Sequence, residues 1–199
     1  MPKDIRLLLD NVRSVHNTGS IFRTAETLGI KKIYCAGTTP TPLDRFGRKR
    51  KDFAKVSLGA EDSVQWEHID DPVRLIKRLN NSKSQTTDFE FNTDTSPPYK
   101  GGDGQSASWR TRGDLTQNKK RKSNEWTIIA LEQSKNSIDY KKAKVKGNTL
   151  IVLGNEVDGV SQGLLNLSDT IAEIPLQGKK ESLNVSVAAG IFLYRLLDK

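Results

Sequence analysis

A glycine, an amide and a carboxylate follow one another at Gly154-Asn155-Glu156, directly after the apolar run Leu150-Ile151-Val152-Leu153. Asp158-Gly159 come next, and a new segment opens at Ser161. The run is rich in β-branched residues and reads as a strand buried on both faces. A buried strand that ends in glycine and an acid is where open α/β sheets place ligands. A plain strand-to-turn connection is the alternative from this stretch alone. Two further polar groups accompany it: Asn17-Thr18-Gly19 with Arg23 near the start, and Ile174-Pro175-Leu176 with Ser182-Leu183-Asn184-Val185 near the end. The Gly154 loop lacks the spacing G-x-G-x-x-G, and no such motif opens the first βα turn. A Rossmann-type dinucleotide site is therefore not expected.

A second chemistry-bearing stretch is residues 40–55, where Arg45, Arg48, Lys49, Arg50, Lys51 and Lys55 stand against only Asp44 and Asp52. Phe46 and Phe53 interleave with these charges. Basic, aromatic-bearing, glycine-punctuated loops suit RNA backbones and unstacked bases, and a solvated charged loop is the simpler reading. The whole chain leans the same way. Its 199 residues carry 32 Lys+Arg against 24 Asp+Glu, a net charge of +8, which favours polyanionic partners, nucleic acid first. Cys35 is the only cysteine, and His16 and His68 are the only histidines. No disulfide and no metal site is expected. No charged-then-apolar leader opens the chain, and no apolar run reaches the length of a membrane helix. A soluble, cytoplasmic protein is expected.

The elements that must position these residues follow an α/β pattern. Residues 5–9 read as a strand, 13–17 as a polar loop, and Ile21, Phe22, Ala25 and Leu28 recur at helical spacing before Gly29. Residues 32–36 form a second strand, 66–69 a third, and Asp71-Pro72 cap a helix with Val73, Ile76 and Leu79 on its apolar face. Residues 126–131, 150–153 and 171–174 are further strands. A short helix is expected at 162–167 and a closing one at 182–197, where Gly190 predicts a close packing contact. Residues 80–124 break the pattern: Ser, Thr, Asn, Gly and Lys dominate, with Pro97-Pro98 and Gly101-Gly102 inside and Lys119–Lys122 at the end. That composition predicts an insertion that stays disordered within a single domain spanning 1–199.

The three polar groups together resemble a known family. Asn17-Thr18-Gly19-Ser20-Ile21-Phe22-Arg23-Thr24-Ala25 looks like motif 1 of the SpoU/TrmH-type (SPOUT class) RNA ribose 2′-O-methyltransferases. Residues 150–161 resemble motif 2 and residues 174–189 motif 3, in the same order. The resemblance implies an α/β parallel-sheet SPOUT fold with a C-terminal trefoil knot, whereas general rules alone predict no knot. It also implies S-adenosylmethionine as cofactor, tRNA or rRNA as substrate, and a homodimer with sites near the subunit interface. The implied catalytic set is Arg23, Asn17, Glu156, Ser182 and Asn184. The implied cofactor set is Leu153, Gly154, Asn155, Glu156, Gly159, Ile174, Leu176, Ser182, Leu183 and Asn184. RNA contacts are expected at Arg23 and at Arg45, Arg48, Lys49, Arg50 and Lys51.

The chemistry of those residue types supports the assignment. Backbone groups of the Gly154 loop and of 174–183 are expected to hold adenine, with Leu153, Ile174 and Leu183 as apolar walls. By resemblance Arg23 contacts the substrate nucleotide. A guanidinium is a poor base, because its pKa lies above about 12, so Arg23 reads as a phosphate clamp and oxyanion stabiliser. Glu156 is expected to orient Arg23 or Asn17. Asn17 and Ser182 also sit where helix N-caps belong, a purely structural alternative. His16 has no visible partner and stays outside the catalytic set. The runner-up is a non-catalytic RNA-binding protein that retains the knotted fold; a nucleotide-binding oxidoreductase is disfavoured by the missing glycine fingerprint.

Overall fold

A computed structural model of the chain describes residues 4–81 and 126–198. Seven parallel strands form one sheet in the order β3-β2-β1-β6-β4-β7-β5. They are β1 (Ile5–Asp10), β2 (Lys32–Ala36), β3 (Gln65–Ile69), β4 (Thr127–Leu131), β5 (Ile138–Asp139), β6 (Thr149–Leu153) and β7 (Thr170–Glu173). The strand read first from the sequence, β6, occupies the central place, and all five of its residues are buried. Among the described residues six α-helices accompany the sheet: α1 (Val15–Thr27), α2 (Lys51–Ser57), α3 (Ala60–Ser63), α4 (Pro72–Asn81), α5 (Gln162–Leu165) and α6 (Val185–Leu196).

Strand side chains alternate between two cores, as a period of two requires. Leu7, Leu9, Ile151 and Leu153 face a core shared with α1, α2, α3 and α6. Leu8, Leu150 and Val152 face the other core, with Leu75 and Ile76 of α4 and Leu164 of α5. Layers on both faces explain why these strands are continuous apolar runs. The chain winds from β1 outward to β3 on one side, and β6 adds to the other side of β1. The crevice between the carboxyl ends of β1 and β6 is thus a topological switch point.

Several local expectations are corrected. Helix α1 begins at Val15, because the Ser14 side chain accepts from Asn17 N (3.2 Å) as its N-cap. Residues 15–17 are therefore the first turn of a helix and not a loop. Helix α6 is capped by Asn184, whose side chain accepts from Ser186 N and Val187 N, so Ser182 lies outside it. Residues 51–57 form α2 within the stretch read as loop. Phe53 is fully buried there, edge-on to Phe22 with centroids 5.2 Å apart, so it belongs to the core and not to an RNA surface. Gly190 has nothing within 4 Å of where a Cβ would sit, so the close contact expected there is absent among the described residues. Most of the 80–124 insertion lies outside the described residues. Its flanks are tied together, Trp126 N donating to Asn80 Oδ1 at 3.2 Å.

Candidate active site

The loops after β1 and β6 meet at the switch point through Glu156. Its carboxylate accepts from Asn17 Nδ2 at 2.7 Å, Arg13 N at 3.2 Å and Ser14 N at 3.3 Å. Asn17 in turn accepts at Oδ1 from Asn184 Nδ2, at 3.0 Å. One polar chain thus joins the three sequence motifs across 139 and 167 residues of separation. Of the two partners expected for Glu156, the structure selects Asn17. Burial pushes the Glu156 carboxyl up, but the donors from Asn17, Arg13 and Ser14 outweigh it and hold the group below its ordinary value of 4.5. A carboxylate that holds its proton so weakly is a poor acceptor for a hydroxyl proton at neutral pH. These hydrogen bonds suit Glu156 to holding Asn17 in place and not to taking a proton.

The sign of that shift sets a pH dependence. A lowered folded pKa contributes stability above the ordinary value and loses it as the pH falls through the lowered one. The network is expected to be intact across neutral pH and to weaken only below 4.5. Donor-ligand affinity measured against pH is expected to stay flat around neutrality and fall on the acid side, with Glu156→Gln abolishing that acid limb.

Beside this network a cleft of about 420 Å³ opens at the carboxyl ends of β4, β6 and β7. Of the cofactor set that the resemblance implies, Leu153, Gly154, Asn155, Glu156, Gly159, Ile174, Leu176, Ser182 and Leu183 line it. Asn184 does not line it and instead caps α6 and ties Asn17. Residues 176–183 form no backbone hydrogen bond within the described chain, which leaves their N–H and C=O groups available to a ligand. The Gly154 loop contributes differently from the expectation. Asn155 and Gly159 bond each other's backbone in a two-residue bridge (3.0 and 3.1 Å), and Asn155 Oδ1 accepts from Val157 N and Asp158 N. Asn155 Nδ2 donates to Asn11 O at 2.7 Å. Asn155 therefore shapes the loop, and its own backbone N–H is not free for adenine.

Sequence reasoning missed Glu132, at the end of β4. Its carboxylate lines the cleft and accepts from Val160 N at 2.7 Å, pinning the far side of the Gly154 loop. A Cβ on Gly159, whose φ is +69°, would collide with that carboxylate. No local pattern announces this role, because it arises only when β4 lies beside β6. Asp10, almost fully buried, accepts from Ser161 N at 2.8 Å and closes the loop from the β1 side.

Arg23 stands apart from the cleft. It is exposed while Ile21, Phe22 and Ala25 of α1 are buried, as the wheel predicts. It lines a shallow depression with Ser20, Thr24, Thr27 and Tyr194 and forms no ion pair among the described residues. The basic hairpin after β2 is more neutral than its composition: Arg48 pairs with Asp44, Lys49 with Asp62 and Arg50 with Asp52. Arg45 and Arg48 lie over the ring of Phe46, at 4.7 and 4.9 Å, and that ring is 66% exposed. Lys51 opens α2 at the surface. No helix among the described residues is long and apolar enough to cross a membrane.

Comparison with known proteins agrees with this fold. The SpoU rRNA Methylase family model matches residues 4–100 and 99–194; the chain belongs to that family. It is 28% identical to the tRNA (guanosine(18)-2′-O)-methyltransferase of Aquifex aeolicus over 192 residues, covering 96% of this chain and 68% of the relative. It is 26% identical to the 23S rRNA (guanosine-2′-O-)-methyltransferase RlmB of Ralstonia nicotianae, covering 94% of this chain and 56% of that one. Among solved structures, the A. aeolicus TrmH/SpoU tRNA modifying enzyme superposes with a TM-score of 0.67 at 25% identity, over 99% of this chain and 75% of that one. The fold is also that of AviRb from Streptomyces viridochromogenes in complex with AdoMet, with a TM-score of 0.69 at 20% identity, over 100% of this chain and 58% of that one.

Proposed function

We propose that this chain is an S-adenosylmethionine-dependent RNA methyltransferase that modifies a ribose 2′-hydroxyl of tRNA or rRNA. The observation that carries the reading is the Glu156–Asn17–Asn184 chain beside the cleft, where all three motifs converge. The residues present fit the cofactor. Leu153, Ile174 and Leu183 offer apolar walls, and the unbonded backbone of 176–183 offers donors and acceptors for adenine. When bound, the cofactor supplies an electrophilic methyl group. The chain's task is alignment, which is worth on the order of 7–11 kcal/mol in favourable cases, together with exclusion of water and stabilisation of the charge that develops on the ribose oxygen. Glu156 and Asn184 hold Asn17, Arg23 clamps the substrate phosphate and stabilises the oxyanion, and Arg45, Arg48, Lys49, Arg50 and Lys51 contact the RNA backbone.

The test is calorimetry with S-adenosylmethionine and methyl transfer to RNA. Affinity in the micromolar range, roughly −8 kcal/mol, is expected, with label appearing on a ribose 2′-oxygen. Absence of binding at millimolar ligand would overturn the reading. RNA binding without any donor binding would favour the non-catalytic alternative instead.

The active form in this proposal is a homodimer, and the knot belongs to the same reading by family. Val187, Ile191 and Tyr194 recur along one exposed side of α6, 50%, 39% and 41% accessible, and Leu183 precedes them at 38%. An apolar stripe of this kind beside a site suits a second copy across a twofold axis. Arg23, in the depression beside Tyr194, then completes the site of the partner. Light scattering at tens of micromolar is expected to give twice the chain mass, and Ile191→Glu to halve it. A monomeric wild type would refute the dimer. Residues 80–124 are proposed as an insertion in a single domain.

A further inference from the structure

A second concavity lies at the opposite edge of the sheet, where no motif points. It measures about 980 Å³ and sits at the amino ends of β1 and β2, between the last turns of α1 and α6 and the segment after β5. Ile30, Ala143 and Leu196 give it a buried apolar floor. Six cations line it, against two carboxylates: Arg6, Lys31, Lys32, Lys141, Lys144 and Arg195 face Asp4 and Asp198. Asp4 is taken by Arg6, and Lys32 pairs with Glu67 outside the cleft. Counting Glu67 as well, an excess of three positive charges remains among the described residues. Two helix carboxyl ends point here, each equivalent to about half a negative charge. Together they offset about one charge and leave the excess positive. Lys31, Lys141, Lys144 and Arg195 are exposed and form no ion pair among the described residues. Unpaired cations over a low-dielectric floor focus a positive field.

We propose that this cleft is a second RNA-backbone site, separate from the methyl-transfer site. The proposal rests on the RNA methyltransferase reading and extends it to the size of the substrate. The six residues of β1 separate the two edges, a distance of about 20 Å at about 3.3 Å per residue. An RNA that contacts both ends of the sheet must extend at least that far from the methylated nucleotide.

The experiment is fluorescence anisotropy of a labelled, folded tRNA transcript across a salt series. The cleft variant is Lys31→Glu/Lys141→Glu/Lys144→Glu. The control variant, Arg74→Glu/Lys77→Glu/Lys135→Glu, makes the same charge change at exposed positions elsewhere. Each lost phosphate contact flattens the dependence of log K on log salt by about 0.7–0.9, so the cleft variant is expected to flatten it by about 2–3. The control is expected to shift it by less than one such contact. Donor calorimetry on both checks that the methyl site is intact, and the triple Lys→Gln version replaces a Glu variant that does not fold. An unchanged slope, or equal flattening in the control, overturns the second site. A wild type that neither binds nor methylates RNA overturns the functional reading instead.

Discussion

Arg23→Ala is expected to lower single-turnover methyl transfer about 100-fold or more while leaving the fold and donor binding nearly unchanged. Removing one preorganised donor from a developing oxyanion costs about 100- to 1,000-fold in well-studied sites. Arg23 is exposed on α1 and its neighbours Ile21, Phe22 and Ala25 fill the core without it, so stability is expected to change by no more than about 0.5 kcal/mol. It does not line the donor cleft, which keeps affinity for S-adenosylmethionine within a few-fold of wild type. Arg23→Lys is expected to fail as well, because an ammonium cannot copy the planar two-pronged contact.

The position of Arg23 adds a sharper version of the same test. It lies six residues beyond Asn17, about 9 Å further along α1, on the side that faces Tyr194 and not the cleft. If it completes the partner's site, a co-purified mixture of Arg23→Ala and Glu156→Ala chains is expected to regain about a quarter of wild-type activity, since a symmetric dimer then forms one intact site in half of the molecules. A mixture no more active than either variant alone places Arg23 in its own chain's site. Near-normal turnover of Arg23→Ala refutes the role altogether.

Gly154→Ala is expected to remove donor binding and to destabilise the protein. The Gly154 position is buried at the end of β6, and a Cβ there would meet the carbonyl carbon of Gly159 and the nitrogen of Val160. Both are backbone atoms on the returning arm of the loop, and that arm is pinned by Glu132 through Val160 N and by Asp10 through Ser161 N. With no flexible side chain to yield, the loop itself must open. Overpacking of this kind costs about 1–3 kcal/mol, occasionally more, which for a chain of this size is a fall in Tm of several degrees. Moving the loop also moves Glu156 away from Asn17. Calorimetry is expected to show at least a hundredfold loss of affinity, and normal affinity in Gly154→Ala would show that the loop tolerates the methyl group and is not the rigid wall of the cleft.

How much of this was readable before the structure depends on whether the cause is local. Strands β1, β2, β4 and β6 announce themselves because burial on both faces demands an unbroken apolar run. Helix α4 announces its start because Asp71 and Pro72 act within one turn, and Arg74 N indeed donates to Asp71 Oδ1 at 2.8 Å. The first turn of α1 was also within reach, since Ser14 stands three residues before Asn17 in the manner of a cap.

The motif residues themselves, Asn17, Glu156 and Asn184, follow from residue order alone, and their family is set by that order. What they do to one another is decided by tertiary structure. Glu156 chooses Asn17 over Arg23 because β1 and β6 lie side by side and present their loops to the same crevice. Phe53, which its charged neighbours mark as surface, is core because α2 folds back on Phe22. Strand β5 is two residues long and exists only because β7 offers it an edge. Glu132 gains its function from lying beside a loop 28 residues away. Residue type and spacing carry short-range physics; contacts across the sheet depend on which strands become neighbours, and that order is a property of the folded chain alone.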